Sequence, residues 1–210
     1  GAAPAPAPRP MTGHAVTGQE VAGQQVPPGD TLQQVIDAAA DGAVLVLQPG
    51  DYRGPFVIRR PLTLRGPASA VLHAEDGSTV RVAANGVSLS GFTVAGSGQR
   101  FDLMDGGVHL QGDDLAVEGV TVRDTLFGIL VERCKRATVR GNRVIGTGLP
   151  AMGLRGDGIR LWETSDSVVE DNVVTDCRDM VVWYSSRNRL SRNQVRRSRY
   201  GTHFMYSHNN

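Results

Sequence analysis

Short runs of alternating apolar and polar residues recur along the chain at a near-constant interval. The segments GIRLWETSDSVVEDNVVTDCRD, MVVWYSSRNRLSRNQVRRSRY and GTHFMYS align one under another, with opening runs that begin at Gly158, Met180 and Gly201, spacings of 22 and 21 residues. The register extends back to GILV at Gly128 and GVHL at Gly107, and earlier opening runs occur at 56–58 and 80–82. A second run follows each of the later openings, at 117–122, 139–144, 169–174 and 190–195. Units this short leave no room for a helix of ordinary length, so each can bury its apolar face only by stacking on its neighbours. The pattern predicts an all-β parallel β-helix of about seven rungs, spaced by about 4.8 Å.

The remaining segments fit around this repeat. Residues 1–29 open with AAPAPAPRP and are rich in Pro, Ala, Gly and Gln, a composition expected to stay extended and coreless. Met11 and His14, potential metal donors within it, are expected to be ordinary tail residues. TLQQVIDAAADG places Leu32, Val35, Ile36 and Ala39 at helical spacing. It predicts a short helix over 31–40 that caps the first rung of a solenoid domain over 30–210. The chain stops at SHNN, mid-rung in this register, and the solenoid is expected to continue in a longer natural protein.

Two departures from the period carry information. Twelve residues separate Val94 from Gly107 and 13 separate Val144 from Gly158, where five suffice elsewhere. Both insertions interrupt the same corner and are expected to project side by side, bringing Phe101, Leu103, Met104, Leu149 and Met152 to one docking patch.

Within each opening run, residues two and four after the register position should point outward. The expected outward ladders are His109, Leu130, Arg160, Val182, His203 and Gln111, Glu132, Trp162, Tyr184, Met205, with Val181 and Trp183 inward. Trp, Tyr and Met in one outward column suggest a binding face. No Met takes an inward position in this register. His203 and Met205 share one outward strand, with His208 in the turn just after, a soft donor set suited to transient copper(I). The alternative is carbohydrate chemistry by Asp157 and Asp179, expected to stack about 5 Å apart on adjacent rungs. Arg155, Arg160 and Arg178 around them argue instead for neutralised carboxylates.

Composition narrows the choice. Lys and Arg number 22 against 21 Asp and Glu, so charge implies neither a nucleic-acid groove nor an anionic membrane. No apolar run approaches the roughly 20 residues of a membrane span. Cys134 and Cys177 fall on different corners and are expected to be unpaired. Asn142, Asn172 and Asn193 share a column and should form an amide ladder. Arg189, Arg192, Arg196, Arg197 and Arg199 read as a basic edge without interleaved acids. No Walker loop, dinucleotide fingerprint or Cys-x-x-Cys pair is present.

GDGIRLW at 156–162, RDMVVWYS at 178–185 and RYGTHFMYSHNN at 199–210 resemble the NosD proteins, and PGDYRGPFVIRRPLTLRG at 49–66 is similar to the same family's start. The resemblance implies a periplasmic, right-handed parallel β-helix without catalytic turnover. It also implies work with the membrane and ATPase subunits of an ABC transporter, receipt of copper from a lipoprotein chaperone, and a part in assembling the copper centres of nitrous oxide reductase. It supplies no ligand set. His203, Met205 and His208 are therefore expected as metal donors on orientation and softness alone, with Met104, Met152, Trp162 and Tyr184 as interaction residues.

Overall fold

A computed structural model describes residues 1–4 and 23–210. Met11 and His14 lie outside the described residues. The chain winds through three parallel sheets in fixed order. Seven strands form what is here termed the opening sheet: Phe56–Ile58, Val80–Ala83, Gly106–Gln111, Phe127–Glu132, Ile159–Trp162, Met180–Trp183 and Thr202–Met205. A second sheet of eight strands runs from Gln24–Val26 to Arg189–Ser191, and a third of seven from Gly50–Arg53 to Gln194–Arg196. Seven rungs of a parallel β-helix result, as the repeat predicts.

Each rung has one strand more than the repeat suggests. The run at 117–122 is two strands, Ala116–Glu118 and Thr121–Arg123, bent apart at Gly119 with φ 63°. The same bend falls at Gly141, Asp171 and Arg192 on the following rungs. A residue in the left-handed region reverses the chain within one position, and this turns an apparently continuous apolar run into two walls.

Inward residues form one continuous core. Val82, Leu110, Val131, Leu161 and Val182 make one fully buried column of the opening sheet. Leu89, Val117, Val139 and Val169 make another in the second sheet. Cys134 and Cys177 are free and buried. Burial pushes their thiols up, to about 11 and about 12, so neither presents a thiolate at neutral pH.

At the N-terminal end each sheet edge is covered by a different device. Helix Leu32–Ala38 buries Leu32 and Ile36 one turn apart. Its Gln33 side chain then bonds the first opening strand: Nε2 donates to the Val57 carbonyl at 3.0 Å and Oε1 accepts from the Val57 amide at 2.8 Å. An amide side chain thus substitutes for a neighbouring peptide group. Gln24–Val26 pairs with Ala43–Leu47, and Gly29 bridges to Tyr52. The coreless segment expected over 1–29 therefore ends sooner, because Val26 is a fully buried part of the fold. These contacts pair backbone groups of the first rung that would otherwise be open at this end.

The corner residues replace glycine with charge. Asp114, Arg136, Asp166 and Arg187 occupy one corner column, all with positive φ between 54° and 58°. Arg136 Nε lies 2.7 Å from Asp114 and Arg187 Nε 2.9 Å from Asp166. Arg192 pairs with Asp171 and Arg197 with Asp176 at the other two corners, and Arg199 pairs with Asp179. The acid-free basic edge is thus corrected for these three residues. Their partners stand 20 or 21 residues earlier, which is adjacent in a solenoid and distant in the chain.

Candidate functional site: the outward face of the opening sheet

The register of the opening sheet differs by one residue from the expectation at a single rung. Ile159 pairs with Met180 and Trp162 with Trp183, so the rung begins at Asp179, not at Met180. Val182 and Met180 point into the core, fully or almost fully buried, while Val181 and Trp183 take the outward columns assigned to Val182 and Tyr184. The other register positions are Gly107, Gly128, Gly158 and Gly201, and an aspartate in this place hid the start of the rung. Met180 also ends the idea that no methionine is a core residue.

The corrected outward columns are His109, Leu130, Arg160, Val181, His203 and Gln111, Glu132, Trp162, Trp183, Met205. His203 and Met205 share the outward side of Thr202–Met205, as expected. His208 lies beyond a left-handed residue, Tyr206, in a corner row with Ser165 and Ser186. It is therefore separated by a turn from the face that carries the other two. Tyr184 sits at the same kind of corner, φ 54°, with its ring 4.7 Å from Trp162 and stacked on Tyr206 at 5.1 Å.

Much of this outward face is covered. The insertion at 95–106 folds back so that Phe101 meets Phe127 at 5.2 Å, and Met104 packs on the cluster of Leu126, Phe127 and Leu130. Leu130 consequently keeps 2% of its surface although it points away from the solenoid axis. The insertion at 145–157 leaves the same corner and returns against Phe127, where a Cβ on Gly156 would collide with the ring and with the Leu126 carbonyl. Met152 itself lies in a 3-10 turn, Met152–Leu154. The contacts of its loop run to later rungs: Gly148 donates to Asp176, and Arg155 donates to the Arg197 carbonyl at 2.6 Å. Phe127 is thus the meeting point of the two insertions.

Asp157 and Asp179 are fully buried but do not stack on each other, because the register sets Asp179 beside Gly158. Arg178 clamps both Asp157 oxygens at 3.0 Å, and Arg160 reaches Asp157 at 3.7 Å. Asp179 accepts from Arg199 at 2.9 and 3.1 Å and from the Tyr200 amide at 2.6 Å. All four carboxylate oxygens are engaged, which leaves no free base at this place.

Arg160 ties the neighbourhood together. Its guanidinium lies 4.9 Å from the Trp162 ring and 4.8 Å from the Trp183 ring, a half-buried cation between two indoles. Beside it, a pocket of about 250 Å³ is lined by Met104, His109, Leu130, Glu132, Arg160 and Trp162. His109 Nε2 is 2.6 Å from Glu132 Oε2, which also accepts from Gln111 at 3.0 Å. Burial pushes the His109 imidazole below its ordinary value, against the opposing pull of Glu132, so the ring is neutral at neutral pH. Burial alone would raise Glu132, but the bonds from His109 and Gln111 outweigh it and hold the carboxyl below its usual range.

Three buried polar atoms on this face have no hydrogen-bond partner: His109 Nδ1, Trp183 Nε1 and His203 Nδ1. His203 stands edge-on to Trp183 at 5.9 Å and beside Tyr200 at 5.5 Å. Among the described residues no group of three or more His, Cys, Asp or Glu is arranged to hold a metal ion. The donors this face offers are single imidazoles with thioethers nearby. Such a set suits a soft monovalent ion and not a hard divalent cation.

The architecture defines a class: a parallel β-helix whose opening sheet carries an aromatic and imidazole-bearing outward face partly roofed by loops. Residues 146–210 match a family described as periplasmic copper-binding protein (NosD). The probable ABC transporter binding proteins NosD of Pseudomonas aeruginosa and Stutzerimonas stutzeri are each 30% identical over 136 residues, 63% of this chain. The matches cover 32% and 31% of those relatives. The chain is thus similar to NosD proteins, over 146–210 for the family and over 136 residues for the two relatives. The chain spans about a third of the length of the curated relatives it matches. An alginate lyase from a Paenibacillus strain shares the fold with a TM-score of 0.56 at 14% identity, over 89% of this chain and 99% of that one. No helix among the described residues is long and apolar enough to cross a membrane.

Proposed function

We propose that this chain is part of a periplasmic accessory protein that binds copper(I) transiently on the outward face of its opening sheet. It would relay the ion to the copper centres of nitrous oxide reductase during their assembly. The observation that carries the reading is His203, whose Nδ1 is buried without a partner while Met205 shares the same outward side of the strand. Both residues lie in the segment that matches the copper-binding family. Two soft donors leave copper(I) room for a third from a partner protein, which favours transfer over storage. Tyr200 and Trp183 flank the imidazole and limit its rotation. His208 contributes as a weaker, turn-borne donor. An ABC transporter and a copper-donating lipoprotein are the partners this reading requires, and Trp162, Tyr184 and the two insertions carrying Met104 and Met152 are the surfaces offered to them.

The test is His203→Ala combined with Met205→Ala, titrated anaerobically with copper(I) against a chromogenic chelator, with reductase maturation followed in cells. Affinity at this site should fall at least tenfold and maturation should be lost, with an unchanged circular dichroism spectrum. His208→Ala should weaken binding less. Wild-type affinity and full maturation in the double variant would remove the site.

A further inference from the structure

Four rungs before His203 the same outward column holds a second imidazole, His109, through the register His109, Leu130, Arg160, Val181, His203. At a rung spacing of about 4.8 Å the two lie about 19 Å apart along the axis. They are also the two histidines whose Nδ1 is buried without a partner.

The surroundings of His109 set its protonation. Glu132 sits 2.6 Å from Nε2 and fixes the ring proton there, since a buried neutral imidazole beside a carboxylate donates from the facing nitrogen. Nδ1 then carries the lone pair. A ring oriented by a carboxylate on one nitrogen and free on the other is the arrangement of a metal-binding histidine. Glu132 is not available as a ligand itself, because its Oε2 already accepts from His109 and Gln111, and Arg133 lies 3.4 Å from Oε1. The other soft donor lining the pocket is Met104. Its backbone has φ 51°, an uncommon conformation for an unbranched apolar residue, held by the packing of Met104 and Phe101 on Phe127. Arg160 and Arg133 line the same space and disfavour a divalent ion. One neutral imidazole and one thioether suit copper(I).

We propose that the pocket beneath the 95–106 insertion is a second copper(I) site, with His109 Nδ1 and the Met104 thioether as its donors and Glu132 as the group that orients the imidazole. It rests on the reading of the chain as a copper handler. Because the insertion roofs it, this station exchanges its ion more slowly than the one at His203.

The experiment uses the full chain under anaerobic copper(I) titration with a chromogenic competitor, together with X-ray absorption at the copper edge. Wild type should take up two ions. In the His203→Ala/Met205→Ala background one ion should remain, with one sulfur and one imidazole nitrogen in its coordination shell. Adding Met104→Leu, which keeps the apolar packing, should remove the sulfur scatterer and weaken binding at least tenfold. Glu132→Gln should weaken it about tenfold with the sulfur retained. One ion in wild type that disappears with His203 and Met205 would overturn this proposal and leave the functional reading intact. The same holds for a remaining ion unaffected by both Met104→Leu and His109→Gln. No copper uptake by wild type would overturn both.

Discussion

The corner between the second and third sheets and the outward face of the opening sheet are both rich in buried polar groups, yet they treat them oppositely. At the corner, Asn142 Nδ2 donates to Asn172 Oδ1 at 3.0 Å, and Asn172 Nδ2 donates to Asn193 Oδ1 at 2.9 Å. Each amide also bonds backbone groups, such as Asn172 Nδ2 to the Val139 carbonyl at 3.0 Å. Every donor and acceptor there meets a partner one rung away. On the outward face, three buried nitrogens meet none. Leaving a buried donor or acceptor unpaired costs about 1–3 kcal/mol, so a ladder that exists to hold rungs together closes its bonds.

Mutation can break that contrast from either side. The largest effect is expected at the closed ladder: Asn172→Ala removes both side-chain donors of a fully buried residue and strands the Asn142 amide. It should cost about 3–5 kcal/mol in denaturant unfolding. A loss under about 1 kcal/mol would mean that the amides are not the tie between rungs. Next comes Arg160→Ala on the open face. Asp157 keeps its bidentate bond from Arg178, so the loss is the cation between two indoles and the packing of the stem, about 1–3 kcal/mol. Tryptophan fluorescence should shift with it, since Trp162 and Trp183 lose their shared neighbour. Copper affinity at His203 should change less than stability does.

The smallest effect is a pH dependence. His109 binds a proton more weakly in the folded chain than in the unfolded one, so its contribution to stability is present above the ordinary imidazole value near 6.5. It is lost as pH falls from there towards the depressed folded value. Glu132, held low, adds a loss of the same sign in the carboxylate range as pH falls through its folded value. The unfolding midpoint of wild type should therefore drop between pH 7 and 5.5 more steeply than that of His109→Gln. Parallel profiles would place the imidazole in a less buried setting than the one described.

Much of this architecture can be read from the residues. Period, rung count, capping helix, insertion corner and amide ladder all follow from spacing, because a solenoid makes sequence neighbours at about 21 residues into spatial neighbours. The third wall does not, since the residue at this bend is a glycine on three rungs, Gly91, Gly119 and Gly141, and Asp171 or Arg192 on later ones. Only the backbone shows that these charged residues adopt φ above 50°. The orientation of His203 and Met205 was legible, whereas Trp183 was exchanged for Tyr184 because Asp179 stands where glycine marks the other rungs. The His109–Glu132 pair crosses from one column to the next at a separation of 23 residues, and no local pattern announces it.

The alternation of Asp114, Arg136, Asp166 and Arg187 up one corner has a bearing on how the chain winds. Coils of similar sequence could stack out of turn, one coil skipping its neighbour to settle on the next but one. In this column such a skip would set Asp114 against Asp166, or Arg136 against Arg187, and like charges placed directly opposite are destabilising. Correct winding sets acid on base at each step, with Arg136 2.7 Å from Asp114 and Arg187 2.9 Å from Asp166. The corner thus penalises out-of-turn stacking of these four coils, and only modestly, because exposed ion pairs of this kind contribute little.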